Sequence, residues 1–210
     1  MRRLWAILIL AAGCAGAPAG PERAPDPLDP KDPEFSRPAP AVFRVRFETT
    51  KGAFTVEATR DWAPRGADRF YYLVRAGFYD GSRFFRVVPG FVLQFGLPAD
   101  PKLAGVWKEA TFPDDPVKTS NVRGTLTFAT AGPNTRTTQL FFNFGDNARL
   151  DRMGFSPFAK VVDGMAVVDA ISAEYGERPN QGRIQSEGEA YLAREFPRLD
   201  VIRSARLVNE

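Results

Sequence analysis

From Ser82 to Val162 no apolar run goes far before a turn-forming group interrupts it: Pro89-Gly90, then Gly132-Pro133-Asn134, then Gly145-Asp146-Asn147. Glycine supplies the left-handed backbone of tight turns and proline presets φ, so such groups end regular structure wherever they recur. A helix of ordinary length needs ten or more uninterrupted residues, whereas a strand needs four to eight. The stretch therefore predicts many short strands, and a closed antiparallel barrel as the way to leave none of their edges open.

The flanks fit that plan. Phe43, Val45 and Phe47 alternate with Arg44 and Arg46. After Thr50-Lys51-Gly52, Phe54, Val56 and Ala58 alternate with Thr55, Glu57 and Thr59, which predicts a hairpin with one buried face. Pro64 opens a helix whose Ala67, Phe70, Tyr71 and Val74 fall at i, i+3, i+4 and i+7, with Gly77 at its C-cap. Met165 to Ile171 predicts a second, short helix. Ser186 and Glu189 have capping-box spacing ahead of Tyr191, Leu192 and Phe196 and predict a further one. Asp200 to Val208 reads as the closing strand.

Composition narrows the chemistry. The chain has 210 residues, 44% of them hydrophobic, enough for one domain with a substantial core. It has no histidine, which removes Ser-His and Cys-His dyads and histidine-ligated zinc, so no metal site is expected. The single cysteine, Cys14, lies in the N-terminal apolar segment and leaves no thiol for the folded part. Asp114-Asp115 stands between Pro113 and Pro116 and reads as a solvated turn.

Met1-Arg2-Arg3, the apolar run Leu4 to Ala12 and the small residue Gly13 before Cys14 have the form of a signal peptide, too short to span a bilayer. Leu10-Ala11-Ala12-Gly13-Cys14 is similar to a bacterial lipobox, with Ala11 where a larger aliphatic residue is common. The expectation is a lipoprotein, lipidated at Cys14 and held on the periplasmic side of a membrane; the alternative is a plain cleaved signal and a soluble periplasmic or secreted protein. Without Arg2 and Arg3 the formal charge falls from +3 to +1, and no basic run interleaved with aromatics points to nucleic acid. Residues 17 to 41 hold eight of the eighteen prolines and read as an extended tether. The chain thus divides into a signal segment at 1–14, a disordered Pro-rich tether at 15–41 and a domain at 42–210.

Three separated motifs carry a resemblance: Phe84-Phe85-Arg86-Val87-Val88-Pro89-Gly90-Phe91-Val92-Leu93-Gln94, Thr127-Phe128-Ala129-Thr130-Ala131-Gly132-Pro133-Asn134, and Gln139-Leu140-Phe141-Phe142. With Phe158-Ala159-Lys160-Val161-Val162-Asp163-Gly164-Met165 after them, they resemble the active-site face of the cyclophilins, the peptidyl-prolyl cis/trans isomerases. The resemblance covers residues 43 to 172. It implies a mainly β fold, a closed eight-stranded antiparallel barrel capped by two helices, to which the helix after Ser186 would be an addition.

It also implies an enzyme that works without cofactor or metal, as a monomer, on proline-containing polypeptides, here exported ones. Arg86 would aim its guanidinium at the prolyl nitrogen. Phe91, Val92, Phe141 and Leu150 would form the slot for the proline ring, with Phe155 at the place where many members carry histidine. Gln94 and the main chain at Ala129 and Thr130 would hydrogen-bond the flanking peptide, Gln139 would position Arg86 or the substrate carbonyl, and Ala131 would line the neighbouring subsite. Arg149 stands where many members carry tryptophan, and Val92, Thr130 and Leu140 replace methionine, asparagine and phenylalanine. A reading from another class is a chaperone or binding module that holds proline segments without turning them over; retention of Arg86 favours the enzyme.

Overall fold

A computed structural model describes residues 23–208 of the chain. The signal segment, the Cys14 lipobox and residues 15–22 of the expected tether lie outside the described residues.

The hairpin forms as its alternation requires. Strands β1 (Val42–Thr49) and β2 (Gly52–Thr59) pair antiparallel, with Val45 opposite Val56 and Phe47 opposite Phe54. These four side chains are fully buried, and the rings of Phe47 and Phe54 stack at 4.9 Å. The helix predicted at Pro64 is α1 (Pro64–Arg75), with Gly77 in left-handed conformation just beyond its end. Phe70 on its inner face packs on Phe158 of β7 (Pro157–Asp163), with ring centroids 5.1 Å apart.

Strand β3 (Arg86–Val88) is followed by three short strands, β4 (Val92–Phe95), β5 (Thr125–Phe128) and β6 (Leu140–Asn143), with helix α2 (Pro101–Trp107) between β4 and β5. Every residue of β4, β5 and β6 is buried. Alternation across a strand sends successive side chains to opposite faces, so complete burial means both faces are covered. Leu93, Phe95, Leu126, Phe128, Leu140 and Phe142 enter the main core. Val92 and Phe141 belong to a separate apolar cluster with Leu150, on the opposite face.

The eight strands form one antiparallel sheet in the order β3-β4-β6-β5-β7-β2-β1-β8, with β8 (Ile202–Val208) paired to β1. The sheet curls but is not the closed barrel expected from the sequence. Among the described residues β3 and β8 form no ladder; the segments before them meet at an isolated bridge, Arg83 with Val201. There Gly81 N–H donates to Ile202 O at 2.8 Å and Ile202 N–H to Ser82 O at 2.9 Å. Strand β3 itself turns its edge elsewhere, with Val87 N–H bonded to Gly176 O at 3.1 Å.

Helix α3 (Met165–Asp169) is the expected short helix. The helix after Ser186 is present as α5 (Glu189–Glu195), but its cap differs from the expectation. Ser186 lies inside a preceding helix, α4 (Gln181–Glu187), where its hydroxyl donates to Gly182 O, and Gly188, at φ 58°, separates the two helices. Tyr191, Leu192, Phe196 and Ile184 gather with Phe85, Leu97, Tyr175 and Leu199 in a second buried cluster. That cluster ties α4, α5 and the rest of the 176–197 insertion to Phe85, the residue next to Arg86.

The segment 23–41, expected as a disordered tether, is docked on the domain. Asp32 caps the 3-10 turn Pro33–Ser36, accepts from Asp26 N–H at 2.9 Å and pairs with Arg23 at 2.7 Å. The indole N–H of Trp107 donates to Pro27 O at 2.7 Å, Phe35 packs edge-on against the Trp107 ring at 4.9 Å, and Ala39 N–H donates to Asp68 at 2.8 Å. Prolines already restrict the free segment, so docking costs less entropy than a flexible tether would lose.

Candidate active site

The outer face of β4 and β6, the end of β5 and the loops above them enclose a cavity of about 340 Å³. Its polar floor begins at β3, where Arg86 pairs in register with Gln94 of β4, and Gln94 in turn with Phe141 of β6. Side chains opposite each other in adjacent strands share a face. The Gln94 amide donates to Gln139 Oε1 at 2.8 Å, and Arg86 Nη1 donates to Gln94 Oε1 at 3.4 Å, so the three polar residues form one chain across the sheet.

The apolar part is the cluster of Val92, Phe141 and Leu150, with Phe91, Ala129 and Phe155 packed against it. Phe141 and Phe155 meet edge to face at 5.6 Å. The guanidinium of Arg86 lies 5.7 Å from the Phe91 ring centre and that of Arg149 4.7 Å from it, so cations flank this exposed-side aromatic.

Leu150 comes from a 3-10 turn, Ala148–Met153, that could not hold its place by itself. Buried amides fix it. Asn147 donates to Phe91 O at 2.9 Å and to Asn143 Oδ1 at 2.8 Å, tying the turn to β4 and β6. Asn121 donates to Asp151 at 2.7 Å and to Phe155 O at 2.8 Å. Burial by itself would favour the neutral Asp151 carboxyl; hydrogen bonds from Ser120 and Asn121 outweigh it and hold the group below its ordinary value. On the far wall Arg136, almost fully buried, reaches both Gly154 O and the Asp114 carboxylate, joining the 130–137 loop to the segment bearing Phe155. Burial pushes its guanidinium downward from its ordinary value. The expected solvated turn at Asp114-Asp115 is instead an anchor: Asp114 is half-buried against Arg136, and Asp115, 6% exposed, accepts from Gly66 N–H at 2.9 Å.

All eleven site residues expected within the domain line this one cavity: Arg86, Phe91, Val92, Gln94, Ala129, Thr130, Ala131, Gln139, Phe141, Leu150 and Phe155. Cys14 lies outside the described residues. Three lining residues were not anticipated, Thr135, Thr137 and Gln181. Thr135 could have been suspected from the Gly-Pro-Asn turn before it, since its hydroxyl accepts from Ala131 N–H at 2.9 Å and closes that turn. Nothing local marks Gln181, which arrives from α4. The lining carries no histidine, cysteine, lysine or carboxylate. Its polar groups are a guanidinium, amides and hydroxyls, which suit hydrogen bonding to a peptide better than proton transfer.

A family model for the cyclophilin type peptidyl-prolyl cis-trans isomerases matches residues 44–188. Peptidyl-prolyl cis-trans isomerase B of Escherichia coli is 33% identical over 180 residues, which is 79% of this chain and 99% of that protein. Peptidyl-prolyl cis-trans isomerase-like 2 of Gibberella zeae is 37% identical over 131 residues, 60% of this chain, and the chain spans only 22% of that longer relative. Among solved structures, a cyclophilin type isomerase of Cryptosporidium parvum in the presence of the dipeptide Ala-Pro superposes with a TM-score of 0.61 at 22% identity, over 80% of this chain and 99% of that one.

Proposed function

Since the chain belongs to the cyclophilin-type peptidyl-prolyl cis-trans isomerases, we propose that its cavity accelerates rotation about X-Pro bonds, with Arg86 as the group that stabilises the twisted amide. The barrier to that rotation is about 18–20 kcal/mol and arises from loss of amide conjugation. As the bond twists, the prolyl nitrogen regains its lone pair and becomes a hydrogen-bond acceptor. A charged donor aimed there gains strength as the barrier is climbed, which is the condition for catalysis by differential binding. A roughly ten-thousandfold acceleration needs about 5.5 kcal/mol.

The observation that carries the reading is one polar chain, Arg86-Gln94-Gln139, running along an apolar slot in a cavity without titrating acid or base. Rotation makes and breaks no bond, so the absence of such groups costs nothing. In this reading the proline ring enters the cluster of Phe91, Val92, Phe141, Leu150 and Phe155. Gln94 and the main chain at Ala129 and Thr130 hold the flanking peptide, Gln139 orients the arginine or a substrate carbonyl, and Ala131 meets a neighbouring side chain. The Ala-Pro dipeptide present with the Cryptosporidium parvum relative has the size and chemistry such a slot would take. Proline isomerisation of a short X-Pro peptide, coupled to a protease that cleaves only the trans form, tests this; binding of the peptide without acceleration would leave a non-catalytic holding module.

The clients proposed are exported proteins, met outside the cytoplasm. Support comes from the cationic start, short apolar run and Leu10-Ala11-Ala12-Gly13-Cys14 of the N-terminus. Lipid at Cys14 would anchor a monomeric enzyme to a membrane, and two or more acyl chains would make that anchor stable. Mass spectrometry of the mature N-terminus tests it: diacylated Cys14 supports the anchor, and an unmodified chain beginning at Ala15 or later leaves simple export.

A further inference from the structure

Arg86 has a partner that belongs to neither the slot nor the glutamine chain. Glu177 Oε1 accepts from Arg86 Nε at 2.6 Å and lies 2.5 Å from Nη2, which leaves Nη1 for Gln94. One carboxylate oxygen thus holds one edge of the guanidinium, while the opposite nitrogen meets the cavity's amides.

The backbone that presents Glu177 is itself anchored. The preceding residue, Gly176, accepts the β3 edge hydrogen bond from Val87, and Tyr175 sits in the buried cluster with Phe85, Tyr191 and Phe196. Three residues on, Asn180 N–H donates to the Tyr191 hydroxyl at 3.0 Å. Phe85 and Val87 bracket Arg86 on the other strand of this contact. The carboxylate is therefore delivered to Arg86 by both flanks, although its own side chain is 60% exposed.

We propose that Glu177 is a positioning residue for Arg86, making the 176–197 insertion part of the active site. The inference rests on the catalytic role assigned to Arg86. An unrestrained arginine spreads over many rotamers, and only the fraction aimed at the prolyl nitrogen helps the reaction. Glu177 removes that freedom before substrate arrives. Its negative charge opposes the arginine's action, but an exposed carboxylate on the far edge is screened by water, whereas restriction of the side chain is not. An exposed pair also adds little to folding, so its loss can be read in turnover without unfolding.

The test is kinetic, on the full chain, with a short X-Pro peptide over a range of concentrations. Glu177→Gln should lower kcat by about fivefold with KM within about twofold, because the guanidinium is used in the transition state more than in the ground state. In an Arg86→Lys background the same change should have no effect, since the restraint acts through the guanidinium. Glu174→Gln, which breaks a neighbouring ion pair with Arg198 just outside that insertion, serves as the control and should match the parent. Parental kcat in Glu177→Gln, an undiminished effect in the Arg86→Lys background, or an equal loss in Glu174→Gln would each overturn the inference. Parental turnover in Arg86→Lys alone would instead overturn the role of Arg86, a failure distinguishable from the others.

Discussion

Phe141 and Phe142 are adjacent on β6, yet alternation commits one to the cavity and the other to the core, so truncating each should have different consequences. Phe142 is fully buried, stacks on Phe95 at 5.7 Å and meets Phe54 edge-on at 5.4 Å. Phe142→Ala would leave a closed void among rigid aromatic neighbours and should cost close to 5 kcal/mol, the upper end for such truncations. Phe141 is 5% exposed and touches a smaller cluster beside an open cavity. Water can enter the space left by Phe141→Ala, which should cost about 3 kcal/mol, or roughly 6–12 °C in Tm for a domain of this size. Turnover should reverse the order: Phe141→Ala loses at least about tenfold, while Phe142→Ala, measured well below its Tm, stays within about threefold. Urea unfolding and the protease-coupled assay on the same samples decide it. Equal stability losses, or turnover that merely follows stability in both variants, would refute the two-faced account of the sheet.

Two further predictions concern pH. With a guanidinium, amides and hydroxyls lining the cavity and no histidine in the chain, turnover should be flat from about pH 6 to 9, and a bell-shaped profile of the chemical step would reveal a base at work. The docked N-terminal segment should respond to acid. Hydrogen bonds from Asp26 N–H, then Arg23, then Glu34 N–H lower the Asp32 carboxyl from 3.8 to about 2, so its contribution is complete above the ordinary value and fades as pH falls through about 2. The NMR resonance of the Trp107 indole N–H, bonded to Pro27 O, should move over that interval, and at neutral pH in Asp32→Asn; an unmoved resonance in the variant would show that the prolines and Phe35 hold the segment unaided.

Local pattern carried much of this structure. The hairpin, α1, α3 and eleven of the cavity's fourteen lining residues were legible because each is set by alternation, by a proline and glycine at helix ends, or by motif order. Closure was not. Whether β3 meets β8 depends on a register between residues more than a hundred positions apart, and the β3 edge bonds Gly176 instead. Helix α2 had its signal in Asp100-Pro101, where the Asp100 side chain accepts from Lys102 N–H at 2.8 Å, but turn groups on both sides masked it. The Ser186 and Glu189 pair has capping-box spacing, yet Gly188 between them takes a left-handed φ and splits the segment. Composition suggested an unpacked stretch over 23–41 because prolines outnumber apolar anchors there; Phe35 and Ala39, with Asp32 to cap a turn, were enough to dock it. Gln181 reaches the cavity, and Glu177 reaches Arg86, through tertiary packing alone, and neither left a local mark.

The central claim is that Arg86 lowers the barrier to X-Pro rotation. Arg86→Ala, compared with the parent in the protease-coupled assay, tests it most directly, with thermal unfolding of the same samples as a check on the fold. Arg86 is about one quarter exposed and lies outside the buried clusters, so Tm should hardly change. Catalytic efficiency should fall at least about a hundredfold, equivalent to roughly 2.7 kcal/mol of transition-state stabilisation. Efficiency within about threefold of the parent, in a protein still folded, would contradict the account.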